Sequence, residues 1–179
     1  MPAIQLGPRT VLIGHCVFLD ASFLVSCRAS DESDHAGAKA LMAQCLLRQR
    51  SGQVELWLSP IVVGEAWWAM ARYLCGGAKW DALGRDDRKR VFREYQPVLH
   101  ALTRQFTDSP FFRIAPVEPE DVKHALSLVV QPDPSLLPWD AYHVATAQRV
   151  GADTIISKDR DFRDIGPIVG IRVVSFATP

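Results

Sequence analysis

No two cysteines in the chain form a C-x-x-C pair, and no histidine stands at a zinc-like interval from them. The four that occur, Cys16, Cys27, Cys45 and Cys75, are widely spread. Neither a zinc site nor a disulfide framework is indicated, and reduced thiols in the cytoplasm are the expectation. Also missing is an apolar run long enough to span a membrane. Arg9 followed by apolar residues 11–19 faintly resembles a secretion signal, but His15 and Asp20 interrupt it and no A-x-A-like cleavage site follows. A buried first strand is the better reading of that run. Excess charge of one sign is lacking too, with 20 basic and 20 acidic side chains. A globally basic surface is therefore excluded, and contact with nucleic acid would need local patches or metal ions. There is no internal repeat and no low-complexity segment.

What remains is a chain of 179 residues, 48% of them apolar, which is enough for one domain (residues 1–179) with a full hydrophobic core. Cys16-Val17-Phe18-Leu19 is a continuous apolar run that ends abruptly at Asp20, as a central parallel strand delivering an acid to its carboxyl edge would. Ser22 is placed to cap a short segment over residues 23–28, or else to hold the Asp20 carboxylate. Residues 33–50 carry Ala38, Leu41, Met42, Cys45 and Leu46 at amphipathic helix spacing, and Ser51-Gly52 stops them. Residues 54–58 form a second strand; Ser59-Pro60 then opens a mostly apolar helix over residues 60–74.

From residue 76 the composition changes. Gly76-Gly77 precedes a charged helix over residues 86–106, with Arg85, Arg88, Lys89, Arg90 and Arg93 diluted by Asp86, Asp87 and Glu94. This helical excursion (76–106) is either a solvated face or a phosphate-contacting arm. Residues 111–114 form a third strand, and Pro119-Glu120-Asp121 opens a helix with acids in its first turn. Pro138 starts another helix, Gly151 ends it, and Thr154-Ile155-Ile156 is a buried strand leading into Ser157-Lys158-Asp159-Arg160-Asp161. The final strand covers residues 171–175. Alternating strands and helices make a three-layer α/β/α sandwich, with a central parallel sheet and right-handed crossovers, the economical architecture.

Each acid has a plain structural role available. Asp140 suits a helix dipole, and Asp159 and Asp161 suit a turn. Glu65 is more telling, because an unpaired carboxylate on an apolar helix needs a cation, a hydrogen-bond partner or a wet cleft. Its ordinary alternative is an exposed pairing with Arg72. His143 could serve as a general base or as a hydrogen-bonded structural residue. Lys158 and Arg160 could hold phosphate or merely solvate a loop, and Trp67 and Trp68 could stack bases or lie in the core.

Four short motifs, VFLDAS (17–22), VVGEAWWAM (62–70), WDAYHVATA (139–147) and ISKDRDF (156–162), together resemble a PIN domain, the nuclease fold of VapC-type toxins. The resemblance implies a divalent-metal-dependent ribonuclease in which Asp20, Glu65, Asp140 and Asp159 are the acids of the site, with Asp161 an additional or substitute ligand. It implies Mg²⁺ or Mn²⁺ as cofactor, an RNA substrate, a homodimer, and a small antitoxin as partner. The oxygen-rich, thiol-free ligand set agrees with those hard cations. Residues 1–14, an N-terminal extension, and the excursion over 76–106 depart from a compact PIN domain. A HAD-like phosphatase would need an acid where Ser22 stands, and a receiver domain gives no reason for Glu65. A non-catalytic RNA- or protein-binding module is the alternative function.

Overall fold

The structure, a computed structural model, describes residues 13–31, 33–131 and 136–176. All but the last two residues of the expected extension 1–14 lie outside that set. In chain order the elements are β1 (Cys16–Leu19), α1 (Ala21–Ser26), α2 (His35–Arg50), β2 (Glu55–Leu58), α3 (Pro60–Cys75), α4 (Gly77–Asp81), α5 (Arg85–Glu94) and α6 (Gln96–Thr107). They continue as β3 (Phe112–Ile114), α7 (Pro119–Val130), α8 (Pro138–Arg149), β4 (Thr154–Ile156), α9 (Arg160–Val169) and β5 (Arg172–Val174). The strands form one five-stranded sheet in the order β3-β2-β1-β4-β5. Every neighbouring pair is parallel. This is the expected α/β/α architecture.

Val17, Phe18 and Leu19 of β1 and Thr154, Ile155 and Ile156 of β4 are all buried, as central parallel strands covered on both faces must be. The chain winds outward from β1 through β2 to β3, then returns to lay β4 on the other side of β1. That reversal makes the crevice between β1 and β4 the place where an open α/β sheet receives a ligand. The register pairs Leu19 with Ile156, so Asp20 and Ser157 leave the sheet side by side.

The helices depart from the sequence expectation in several places, α1 lying at Ala21–Ser26 rather than over 23–28 and α4 and α9 being helices for which the sequence carries no expectation. The charged helix over 86–106 is divided at Tyr95 into α5 and α6, because Pro97 in the first turn of α6 offers no N–H to continue the helix from α5. The stretch following Lys158 forms α9 despite Pro167 inside it. Among the described residues, no helix is long and apolar enough to cross a membrane.

Helix α3 is held from two sides. Val62, Ala66 and Met70 enter the main core, whereas Ala71 joins Trp80 and Val91 in a smaller cluster beneath the excursion. There Arg88 lies over the rings of Trp68 and Trp80, 5.6 and 5.4 Å from their centroids.

Asp121 does more than face a helix dipole. It closes a capping box with Glu118 at the start of α7 and is fully buried against Arg149 of α8, whose Nε donates to Oδ1 at 2.7 Å. Burial alone would raise the Asp121 pKa; the Arg149 hydrogen bond, helped by the Glu118 N–H, holds it below the usual carboxylate range. A depressed folded pKa stabilises above the unfolded value near 4 and is lost as pH falls. Arg149→Met should therefore cost about 2–3 kcal/mol at pH 7, a buried-pair loss discounted for the partial exposure of Arg149, and its deficit in urea unfolding should shrink below about pH 4.

Candidate metal centre

Asp20 is the pivot of the carboxyl edge. Its own N–H bonds to the Ile156 carbonyl at 3.1 Å, which extends the β1–β4 ladder by one residue. Its side chain caps α1, and one oxygen, Oδ2, accepts three times: from the Ser22 N–H at 3.2 Å, the Ser22 hydroxyl at 2.5 Å and the Ser157 hydroxyl at 2.8 Å. The cap is thus Asp20, and Ser22 holds its carboxylate rather than capping the helix itself. Each hydroxyl also receives a backbone N–H from the turn after β4, Lys158 to Ser22 Oγ at 3.4 Å and Asp159 to Ser157 Oγ at 3.0 Å. With Oδ2 filled, Oδ1 is the oxygen left for a metal.

Glu65 projects from α3, and its partner is His143, not Arg72. His143 Nε2 and Glu65 Oε2 are 2.6 Å apart. Arg72 pairs instead with Asp81 at 2.9 Å. The Glu65 side chain keeps 34% of its exposure while that of His143 keeps 1%, so the imidazole anchors the carboxylate from below. Phe18 and Phe162 flank the ring at centroid distances of 6.2 and 6.3 Å. Burial opposes a charge on His143, but the Glu65 hydrogen bond and the charges of Glu65, Asp20 and Asp140 leave its pKa above the ordinary imidazole value.

Asp20, Glu65 and His143 each offer a ligand atom within 4.8 Å of the others. Asp140, in the first turn of α8, stands outside that grouping but within its field. Its pKa is pushed up to about 6, first by burial and then by the charge of Asp159, with Asp20 and Glu65 adding to the effect and His143 opposing it. Asp159 is exposed at the head of α9, where its Oδ1 accepts the Asp161 N–H at 2.9 Å. Asp161 is not among the groups acting on Asp140. Asp20 and Glu65 thus share one cluster with His143, and Asp140 feels their charges and that of Asp159.

An Asp140 whose pKa is raised first by burial and then by neighbouring carboxylates fits a site for a small divalent cation, which would relieve their repulsion. A cleft of about 520 Å³ adjoins the cluster, lined by Ser22, Ser26, Ala69, Arg72, Gly76 and Lys158 among others. Lys158 is anchored there at 3.5 Å from Asp34. The sequence gives Ser157 no role, although it follows β4 as Asp20 follows β1. It offers a hydrogen-bonded structural role for His143 but not the partner, because the bond to Glu65 joins helices distant in sequence.

No curated protein matches the chain. Among solved structures, it is similar to VapC20 of Mycobacterium tuberculosis, described as a Sarcin-Ricin loop cleaving toxin, with 22% identity and a TM-score of 0.60 over 84% of this chain and 95% of that one. FitAcB from Neisseria gonorrhoeae gives 18% identity and a TM-score of 0.53 over 89% and 97%. VapBC2 from Rickettsia felis, bound to a DNA fragment from its promoter, gives 10% and 0.52 over 89% and 98%. These likenesses concern the fold. The model of the PIN domain matches residues 17–167, from within β1 to within α9, and the chain belongs to the PIN domain family.

Proposed function

We propose that the protein is a divalent-metal-dependent endoribonuclease, the toxin of a toxin–antitoxin pair, hydrolysing RNA phosphodiester bonds at the acids Asp20, Glu65, Asp140 and Asp159. The observation that carries this reading is the convergence of Asp20 and Glu65 at the β1–β4 crevice, beside an Asp140 whose pKa their crowding helps to raise. Membership of the PIN family and similarity to a toxin described as cleaving the Sarcin-Ricin loop support it. Bound Mg²⁺ or Mn²⁺ would supply an activated water and neutralise charge gathering on the phosphate.

The chain's own residues do the rest. Ser22 and Ser157 fix the Asp20 carboxylate from one side. Asp140, its pKa pushed up to about 6 by burial and neighbouring charges, would give up its proton to hold a cation. RNA would pass along the adjoining cleft, which has Lys158 in its lining. A homodimer and an antitoxin partner belong to the same reading. The exposed ridge of Val122, Leu126 and Val130 along α7 is the kind of apolar surface such assembly covers. Cytoplasmic work agrees with four free cysteines among the described residues.

Purified protein, freed of any partner, should cut a structured-RNA pool in Mg²⁺ or Mn²⁺ and stop in EDTA. Asp20→Asn should lower the rate on the order of 10²–10³-fold while keeping the parent's circular dichroism. Undiminished, EDTA-resistant cutting would sink the proposal.

Asp140 gives a separate test. Its folded pKa lies above the unfolded value, so its contribution to stability is present below about pH 4 and lost as pH rises through about 6. In EDTA, Asp140→Asn should therefore melt higher than the parent at pH 7.5 and level with it near pH 4. With metal at 100 times its Kd the parent should gain about 2.7 kcal/mol, a Tm rise of roughly 5–10 °C, and the variant far less. Equal metal responses in parent and variant would remove Asp140 from the site.

A further inference from the structure

His143 is the one buried titratable group at the site that the proposed chemistry leaves unused. We propose that it is a positioning residue for Glu65: its Nε2–H donates to Oε2, turns Oε1 toward the metal and is not itself a ligand. This rests on the metal-site reading above and adds to it a role for a residue outside the acidic set.

Three observations carry the assignment. First, the 2.6 Å separation of Nε2 from Glu65 Oε2 is that of a strong, charge-assisted hydrogen bond, which needs the ring proton on Nε2. Second, Nδ1 is buried with no hydrogen-bond partner. An imidazole that ligates a metal through one nitrogen almost always donates its other N–H to a carboxylate, carbonyl or water. Coordination through Nε2 would put a proton on Nδ1 and leave it facing nothing, so the chain is built for the opposite tautomer. Third, the ring is locked by Phe18 and Phe162, on β1 and α9. Those two elements also deliver Asp20 and Asp159 to the site, so His143 ties Glu65 to the same frame.

A common design follows for two acids. Asp20 has one oxygen occupied by Ser22 and Ser157, and Glu65 has one occupied by His143. Each then presents a single free oxygen. One oxygen per carboxylate suits a six-coordinate ion that keeps several waters, rather than a larger ion wrapped by bidentate carboxylates.

The experiment is Mn²⁺ titration calorimetry of the full chain at pH 7.5, comparing the parent with His143→Phe, His143→Gln and Glu65→Ala. His143→Phe removes the donor among phenyl neighbours and should weaken Mn²⁺ binding roughly 10–100-fold. His143→Gln keeps an N–H donor and should recover part of that loss. In a Glu65→Ala background, His143→Phe should change the affinity by less than about twofold, because the group it positions is gone. Pulsed EPR of the Mn²⁺-loaded parent should show no directly coordinated nitrogen.

Nitrogen coupling, or losses that simply add in the double variant, would make His143 a ligand and overturn the proposal. Unchanged or tighter binding by His143→Phe would also overturn it, since a ring that merely offset the acids' charge would strengthen metal binding when removed. If His143→Phe does not fold, the EPR spectrum of the parent and the Gln variant still decide. Absence of Mn²⁺ binding by the parent would instead defeat the metal-site reading on which both stand.

Discussion

The triple hydrogen bond into one oxygen of Asp20 is the constraint on which the rest of the site depends. It exists because β1 and β4 are paired so that Leu19 lies opposite Ile156, and the next residue of each strand emerges at the same height. A register slip of one residue would turn Asp20 to the other face of the sheet. The same hydroxyls that hold Asp20 also receive N–H groups from residues 158 and 159. Position at the end of β1 is thereby converted into position at the head of α9, and Asp159 is placed relative to Asp20 without touching it.

Much of this was legible from the residues because an abrupt end to an apolar run is informative. Leu19-Asp20 and Ile156-Ser157 mark strand ends, and the alternation of strands with helices fixes the sheet as parallel. Glu65 stood out because a carboxylate in an apolar helix must be explained by something. What answers it lies 78 residues away, across the boundary between α3 and α8. Periodicity places a residue on a face of its own helix and is silent about which helix that face meets. Hence the sequence can say that Glu65 needs a partner and can name only nearby Arg72 as an alternative, while Asp81 takes that arginine in the folded chain.

The helix boundaries failed for local reasons. Charge density over residues 85–94 hid the stop at Tyr95, because a run of arginines, lysine and acids reads as one solvated surface. Gln96-Pro97 carried the information, since a proline within a first turn marks a new helix start as readily as a break. In α9, Phe162 and Ile165, three residues apart, both enter the core, so tertiary burial holds the helix in spite of Pro167 within it.

The excursion over residues 76–106 bears on the site through α3. A helix that presents Glu65 on a partly wet face cannot rely on that face for packing. Val62, Ala66 and Met70 fasten it to the sheet, and Ala71 fastens its second half to Trp80 and Val91 in the satellite cluster. Arg88, stacked over Trp68 and Trp80, closes that cluster from outside and restrains the helix one turn beyond Glu65. The carboxylate is consequently fixed by packing behind and beyond it and by His143 below. Preorganisation of this kind is what a small divalent ion needs from acids that would otherwise repel one another. The added helices therefore belong to the support of the acidic site as much as to any surface they offer a partner.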